Sequence, residues 1–116
     1  MKHSNDKIRS LIIKNLAKSK DTSLINLYED IINSDKSNDV KKEAVSAIGR
    51  TRNEKVIPIL TKYLKHKNPE IVLQAIRGLL VFKTNLEVST NLKKLNKHKN
   101  EIVRKVINIE FGEKKN

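Results

Sequence analysis

The chain has 116 residues, a formal net charge of +12 and no cysteine. This length fits one domain with a limited core, and the lack of cysteine excludes disulfides, thiolate metal sites and a cysteine nucleophile. The charge favours an acidic partner, such as nucleic acid, an acidic protein surface or anionic lipid, although the lysine-rich composition typical of an AT-rich genome is a competing explanation for it.

The first six residues do not resemble a secretory signal peptide. The segment Met1-Lys2-His3-Ser4-Asn5-Asp6 lacks the apolar core of a secretory signal peptide. No apolar run approaches the length that crosses a bilayer. We therefore expect a cytoplasmic protein without a membrane partner.

The first unit, about residues 5–34, consists of two predicted helices. Apolar residues at helical spacing indicate a helix from Asp6 to Lys18, with the Asp6 carboxylate near its free amides. The polar stretch 19–23 ends this helix. A second helix follows, with Thr22 or Ser23 as its N-cap.

The second unit, about residues 38–66, repeats this plan. Asp39 begins a helix that Gly49 ends or loosens. The next helix begins near Glu54, and Pro58 falls in its first turn or just beyond. Proline is tolerated there because the early amides have no partner within the helix.

The third unit, about residues 68–97, begins with Asn68 as N-cap and Pro69 at the first helical position, and its first helix runs to about Phe82. Its second helix is poorer in apolar residues than that of the second unit. At positions equivalent to Ile57, Ile59 and Leu64 of the second unit, the third unit has the polar residues Ser89, Asn91 and Asn96.

A terminal half unit, about residues 100–111, contains one predicted helix from Glu101 to about Phe111. Glu110 occupies the register of Ile48 and Leu79, where a carboxylate would be costly if another repeat covered it, so we expect it to face solvent and the array to end near it. The apolar residues of this helix spread over an arc of roughly 200°, wider than one packed face needs. The sequence therefore leaves open whether the protein self-associates through this helix.

The units recur at a nearly constant interval. Val40, Ile71 and Ile102 open comparable segments at steps of 31 residues, and Ile8 lies 32 residues before Val40. A fixed period between about 20 and 50 residues is typical of stacked supersecondary units that cannot bury their apolar faces alone.

Two segments carry a recognisable pattern of residues. They are Asn68-Pro69-Glu70-Ile71-Val72 with Ala75 and Leu79, and Asp39-Val40-Lys41 with Ala44, Ile48 and Gly49, then Val56, Pro58 and Leu60. This pattern resembles HEAT repeats of the short phycobilin-lyase type, over residues 5–111. The resemblance implies an all-α, right-handed solenoid of about three and a half helical hairpins in a single domain, 1–116. First helices would lie on the convex side and second helices on the concave side.

The arginine typical of these repeats is matched by Arg9 and approximated by Lys41, whereas Val72 and Val103 stand at the equivalent places. Relatives that are enzymes use residues that this chain lacks. It has no His-Glu pair that could bind iron, no Trp that could pack beside an alkylated base, and no recognisable bilin site. Its glycines are dispersed, so no phosphate-cradling loop is present. We therefore predict no catalysis and no cofactor.

His66 and His98 lie one repeat apart, at about 10 Å, the distance between packed elements. This separation is too long for a shared metal without further ligands. Solvated loop residues are the simpler interpretation. Tyr28 and Tyr63 fall at positions that helical spacing assigns to the core, which makes them unavailable for stacking on bases.

Charge gives the remaining functional signal. The second-helix surface changes from acidic to basic along the stack, and Lys65-His66-Lys67-Asn68 recurs as Lys97-His98-Lys99-Asn100 before a helix amino end that favours anions. We call the predicted partner-binding surface the basic edge; it comprises Lys62, Lys65, His66, Lys67, Lys93, Lys94, Lys97, His98 and Lys99. The competing interpretation is that these lysines are simply solvated.

Three functions remain open. The fold favours a non-catalytic scaffold or adaptor that binds a macromolecule, foremost a protein with an acidic surface. The charge favours a nucleic-acid-binding protein that contacts phosphates with little sequence preference. The third alternative is a non-catalytic fragment or relative of a HEAT-repeat enzyme.

Overall fold

A computed structural model describes residues 5–112, and within this range the chain is helical without strands. Seven α-helices are present among these residues: α1 (Asp6–Ala17), α2 (Ile25–Ser34), α3 (Asn38–Arg50), α4 (Ile57–Tyr63), α5 (Pro69–Leu80), α6 (Leu86–Lys93) and α7 (Glu101–Phe111). The 3₁₀ turns are Thr22–Leu24, Glu54–Val56 and Lys94–Lys97. None of the described helices is both long enough and apolar enough to cross a bilayer.

The helices form an elongated stack with extents of 51 × 26 × 21 Å. The first helices α1, α3 and α5 pack side by side, and α2 and α4 pack against α3 and α5. This arrangement confirms the predicted all-α solenoid of helical hairpins. Its handedness, and which layer is convex, stay predictions.

Helix caps explain where the elements begin. Asn68 caps α5 and Pro69 takes the first helical position, as predicted. Other caps precede the predicted ones: Asn5 caps α1, Asp21 caps the 3₁₀ turn before α2, and Ser37 caps α3. Asp6 is the first residue of α1, where its negative charge interacts favourably with the helix dipole.

The core is continuous along the stack. Tyr28 and Tyr63 are buried, with 1% and 6% of their surface exposed, which confirms their predicted place in the core. Leu60 and Ile76 are fully buried as well. Because a single unit cannot bury both of its apolar faces, this shared core is what holds the units together.

Gly49 does not end its helix, because α3 continues to Arg50. Its role is close packing. A β-carbon built on Gly49 would lie 3.0 Å from the α-carbon of Gly78, and one on Gly78 would lie 2.6 Å from Cδ1 of Leu60. The absence of side chains at both positions therefore allows α3 and α5 to cross closely.

The regular stack loosens at the third unit. α7 packs mainly on the 3₁₀ turn Lys94–Lys97 and contacts α5 much less than α3 does. The polar residues Ser89, Asn91 and Asn96 stand where the second unit has the partly buried Ile57 and Ile59 and the buried Leu64, which leaves less apolar surface in this part of the third unit. Glu110 is half-exposed, and its carboxylate lies 3.4 Å from Lys83 Nζ.

Candidate partner-binding surfaces

The repeated Lys-His-Lys-Asn sequence forms a capped turn before each of two helices. His66 Nδ1 accepts the backbone N–H of Asn68 at 2.9 Å, and the Asn68 side chain accepts the N–H of Glu70 at 2.9 Å. His98 and Asn100 repeat this arrangement, with an Nδ1 to N distance of 3.0 Å. The two histidines are half-buried. Both histidines lie in loops, as expected, but they are only partly exposed, and each one accepts a hydrogen bond that orders the turn before the next helix.

The same turn in the first unit uses different residues. Asp35 accepts the backbone N–H of Ser37 at 2.9 Å, and Ser37 accepts that of Val40. Arg9 donates two hydrogen bonds to the Asp35 carboxylate, at 2.8 and 2.9 Å. This hydrogen-bonded ion pair lowers the pKa of Asp35 below its ordinary value. The pair also links α1 to the turn before α3.

Burial lowers the pKa of His66 below its ordinary value, and the charges of Lys41 and Lys67 add to this shift. A lowered pKa favours the neutral ring. Only the neutral ring has an unprotonated Nδ1 that can accept the Asn68 N–H. The electrostatics and the hydrogen bond of His66 are therefore consistent with each other.

The lysines of the basic edge are all exposed, but they differ in their partners. Lys62 Nζ lies 3.1 Å from a carboxylate oxygen of Glu29 and 5.2 Å from the centre of the Tyr63 ring. Lys93 Nζ lies 5.8 Å from the centre of the Phe111 ring. Within residues 5–112, the remaining lysines have no carboxylate within 4.0 Å: Lys65, Lys67, Lys94, Lys97 and Lys99.

Part of the basic edge forms a shallow groove. Lys93, Lys94 and Lys97 line it together with Thr90 and Asn96, and its volume is about 450 Å³. The two capped turns supply the other lysines. Lys62 is set apart from these by its ion pair with Glu29.

The described residues contain no group of three His, Cys, Asp or Glu side chains placed to hold a metal ion. Both tyrosines are buried, and Phe82 and Phe111 are half-buried. Exposed rings for stacking on bases are therefore lacking in this part of the chain.

Three further cations, missed in the sequence, share one groove. Arg50, Arg52 and Arg77 line a depression between α3 and α5. They occupy different positions within their repeats, so a comparison of equivalent positions did not group them. The sequence could have revealed Arg50 and Arg77, because both lie on neighbouring first helices and helical spacing can be used to ask whether they face the same surface.

A family model described as HEAT repeats matches residues 1–80 and 25–111. No curated protein matches the chain, and no solved structure does either.

Proposed function

Because the chain belongs to the HEAT-repeat family, we propose that it is a non-catalytic cytoplasmic scaffold that binds a protein partner with an acidic surface. Repeat arrays of this kind present extended surfaces rather than enclosed pockets, and they commonly hold other macromolecules. The proposal places the partner on the basic edge.

The observation that carries the proposal is that four exposed lysines, with no carboxylate within 4.0 Å among the described residues, stand on turns whose backbone is hydrogen-bonded. Lys65 and Lys67 flank His66 in one turn, and Lys97 and Lys99 flank His98 in the other. Hydrogen bonds hold the backbone of both turns, so less backbone freedom is lost when a partner binds. Exposed lysines also steer an acidic partner to the surface and speed its association.

Co-purification with matched variants tests this proposal. One variant replaces the four turn lysines with glutamine: Lys65, Lys67, Lys97 and Lys99. A control replaces four exposed lysines elsewhere: Lys18, Lys20, Lys36 and Lys55. Partners are recovered from the native cell with and without nuclease treatment and quantified by mass spectrometry.

We expect the turn variant to lose nuclease-resistant protein partners that the parent and the control retain. Equal losses from both variants would mean that net charge alone governs binding. Partners that disappear on nuclease treatment of the parent would favour nucleic acid instead. Thermal melts of each variant exclude unfolding as the cause of a loss.

A further inference from the structure

The groove between α3 and α5 is a concentration of positive charge separate from the basic edge. Its volume is about 220 Å³, and its lining includes Arg50, Arg52 and Arg77 without any carboxylate. Ser46 and Gln74 also line it and can donate hydrogen bonds. All of these residues belong to first helices or to the turn that follows α3. The groove is thus a feature of the first-helix layer.

No carboxylate in the described part of the chain neutralises the three arginines. All three are exposed, and within residues 5–112 no carboxylate lies within 4.0 Å of them. The chain's other arginines are used in the fold: Arg9 pairs with Asp35, and Arg104 donates to the carbonyl of His98 at 2.7 Å. Like charges brought together without a counter-charge repel each other, and a bound anion relieves that repulsion.

The charge continues into a second groove. This one has a volume of about 190 Å³ and shares Ser46, Arg50, Gln74 and Arg77 with the first. It adds Lys14, Lys42 and Glu43, and the Glu43 carboxylate lies 3.7 Å from Lys14 Nζ. The two grooves therefore form one track across α1, α3 and α5, with a single carboxylate among its described lining residues.

We propose that this track, the arginine track, binds the phosphate backbone of a nucleic acid. The planar guanidinium fork matches a phosphate with two parallel hydrogen bonds. A chain of phosphates supplies successive negative charges to successive cations. A protein partner would need a central apolar or aromatic anchor, and Val81 is the one large exposed apolar side chain in the lining of the first groove.

This inference goes beyond the scaffold proposal and does not depend on it. The arginine track and the basic edge use different residues, so each can be disabled alone. Because phosphate contacts carry no sequence information and the described residues present no exposed aromatic ring for stacking on bases, we expect the track to discriminate little between sequences.

Binding of labelled oligonucleotides tests the proposal. Fluorescence anisotropy with single-stranded and duplex DNA of about 20 nucleotides, over about 50 to 200 mM salt, gives the affinity and its salt dependence. The test variant carries Arg50→Gln, Arg52→Gln and Arg77→Gln. The matched control carries Lys18→Gln, Lys36→Gln and Lys55→Gln, which remove the same charge from exposed positions.

We expect the arginine variant to raise Kd at least about tenfold and to make the log–log salt slope shallower by about 2 to 3, with much smaller changes in the control. A variant with lysine in place of Arg50, Arg52 and Arg77 should keep the log–log salt slope of the parent but bind DNA more weakly, because lysine lacks the planar guanidinium fork. Melting temperatures near the parent's show that each variant is folded.

Three outcomes would overturn the proposal. The first is an equal loss from the arginine variant and the control. The second is a loss only in the variant with glutamine at Lys65, Lys67, Lys97 and Lys99, which assigns nucleic acid to the basic edge. The third is a parent protein that binds polyglutamate through the arginines but binds no DNA, which assigns the track to acidic proteins.

Discussion

Gly49→Ala tests the close crossing of α3 and α5 directly. The added β-carbon would lie 3.0 Å from the α-carbon of Gly78, whereas ordinary contacts of this kind begin at 3.4 Å. The obstructing atom belongs to the backbone of a packed helix, so no side-chain rotation relieves the contact. The two helices must move apart by a few tenths of an ångström, and contacts on either side of the crossing weaken.

Two opposing effects determine how much Gly49→Ala changes the stability of the protein. Overpacking a well-packed core costs about 1–3 kcal/mol. Replacing a glycine inside a helix with alanine stabilises the helix by about 0.8–1.0 kcal/mol. The difference is a net destabilisation on the order of 1 kcal/mol, which lowers the melting temperature by about 4 °C in a domain of this size.

Thermal unfolding followed by circular dichroism measures this effect. Asn15→Ala, at an exposed position inside α1, is the control for helix propensity and should raise stability by up to about 0.7 kcal/mol. A Gly49→Ala protein that melts above the parent would refute the reasoning, because only the propensity gain would remain. Gly78→Ala should also destabilise, since its β-carbon meets both Leu60 and Gly49.

Three further predictions concern the core and the turns. Leu60→Ala and Ile76→Ala, at fully buried positions, should each cost about 2–5 kcal/mol in thermal melts; an unchanged melting temperature would contradict the repeat register. Because the folded pKa of His66 lies below the unfolded value of about 6.5, stability should fall as pH drops below about 6.5. Urea unfolding should show this, and His66→Asn, which keeps an acceptor, should reduce the dependence. Arg9→Gln should return the pKa of Asp35 toward its ordinary range in an NMR titration; an unchanged pKa would mean that the ion pair is not its main cause.

The architecture was predictable because it depends on features that recur. The start of α5 at Asn68-Pro69 and the burial of the tyrosines follow from patterns local to each helix. The period of 31 to 32 residues repeats these patterns from unit to unit. Cap assignments were off by one or two residues because several polar residues cluster at each boundary. Asn5 next to Asp6 is an example, and only backbone geometry decides which side chain accepts the free amides.

The surfaces were less predictable, because they combine residues from different units. The duplicated Lys-His-Lys-Asn turn was visible in the sequence, but the hydrogen bond from Asn68 N–H to His66 Nδ1 was not. Arg50 and Arg77 come from non-equivalent repeat positions and meet only because α3 and α5 pack together. Likewise, the pairing of Lys62 with Glu29 depends on contact between two units.

The glycine crossing also limits how this array can evolve. Ala17 holds the register of Gly49 in the preceding unit, and Leu80 holds it in the following one. Exchanging the second unit for a copy of either neighbour would place a methyl group or a whole leucine side chain at the narrowest point between the helices. The methyl group would cost stability as Gly49→Ala does, whereas the leucine side chain would force the two helices apart, so a copy of the third unit fits at this place least well. Duplication of a unit at either end would leave the crossing intact, whereas insertion between the second and third units would destroy it.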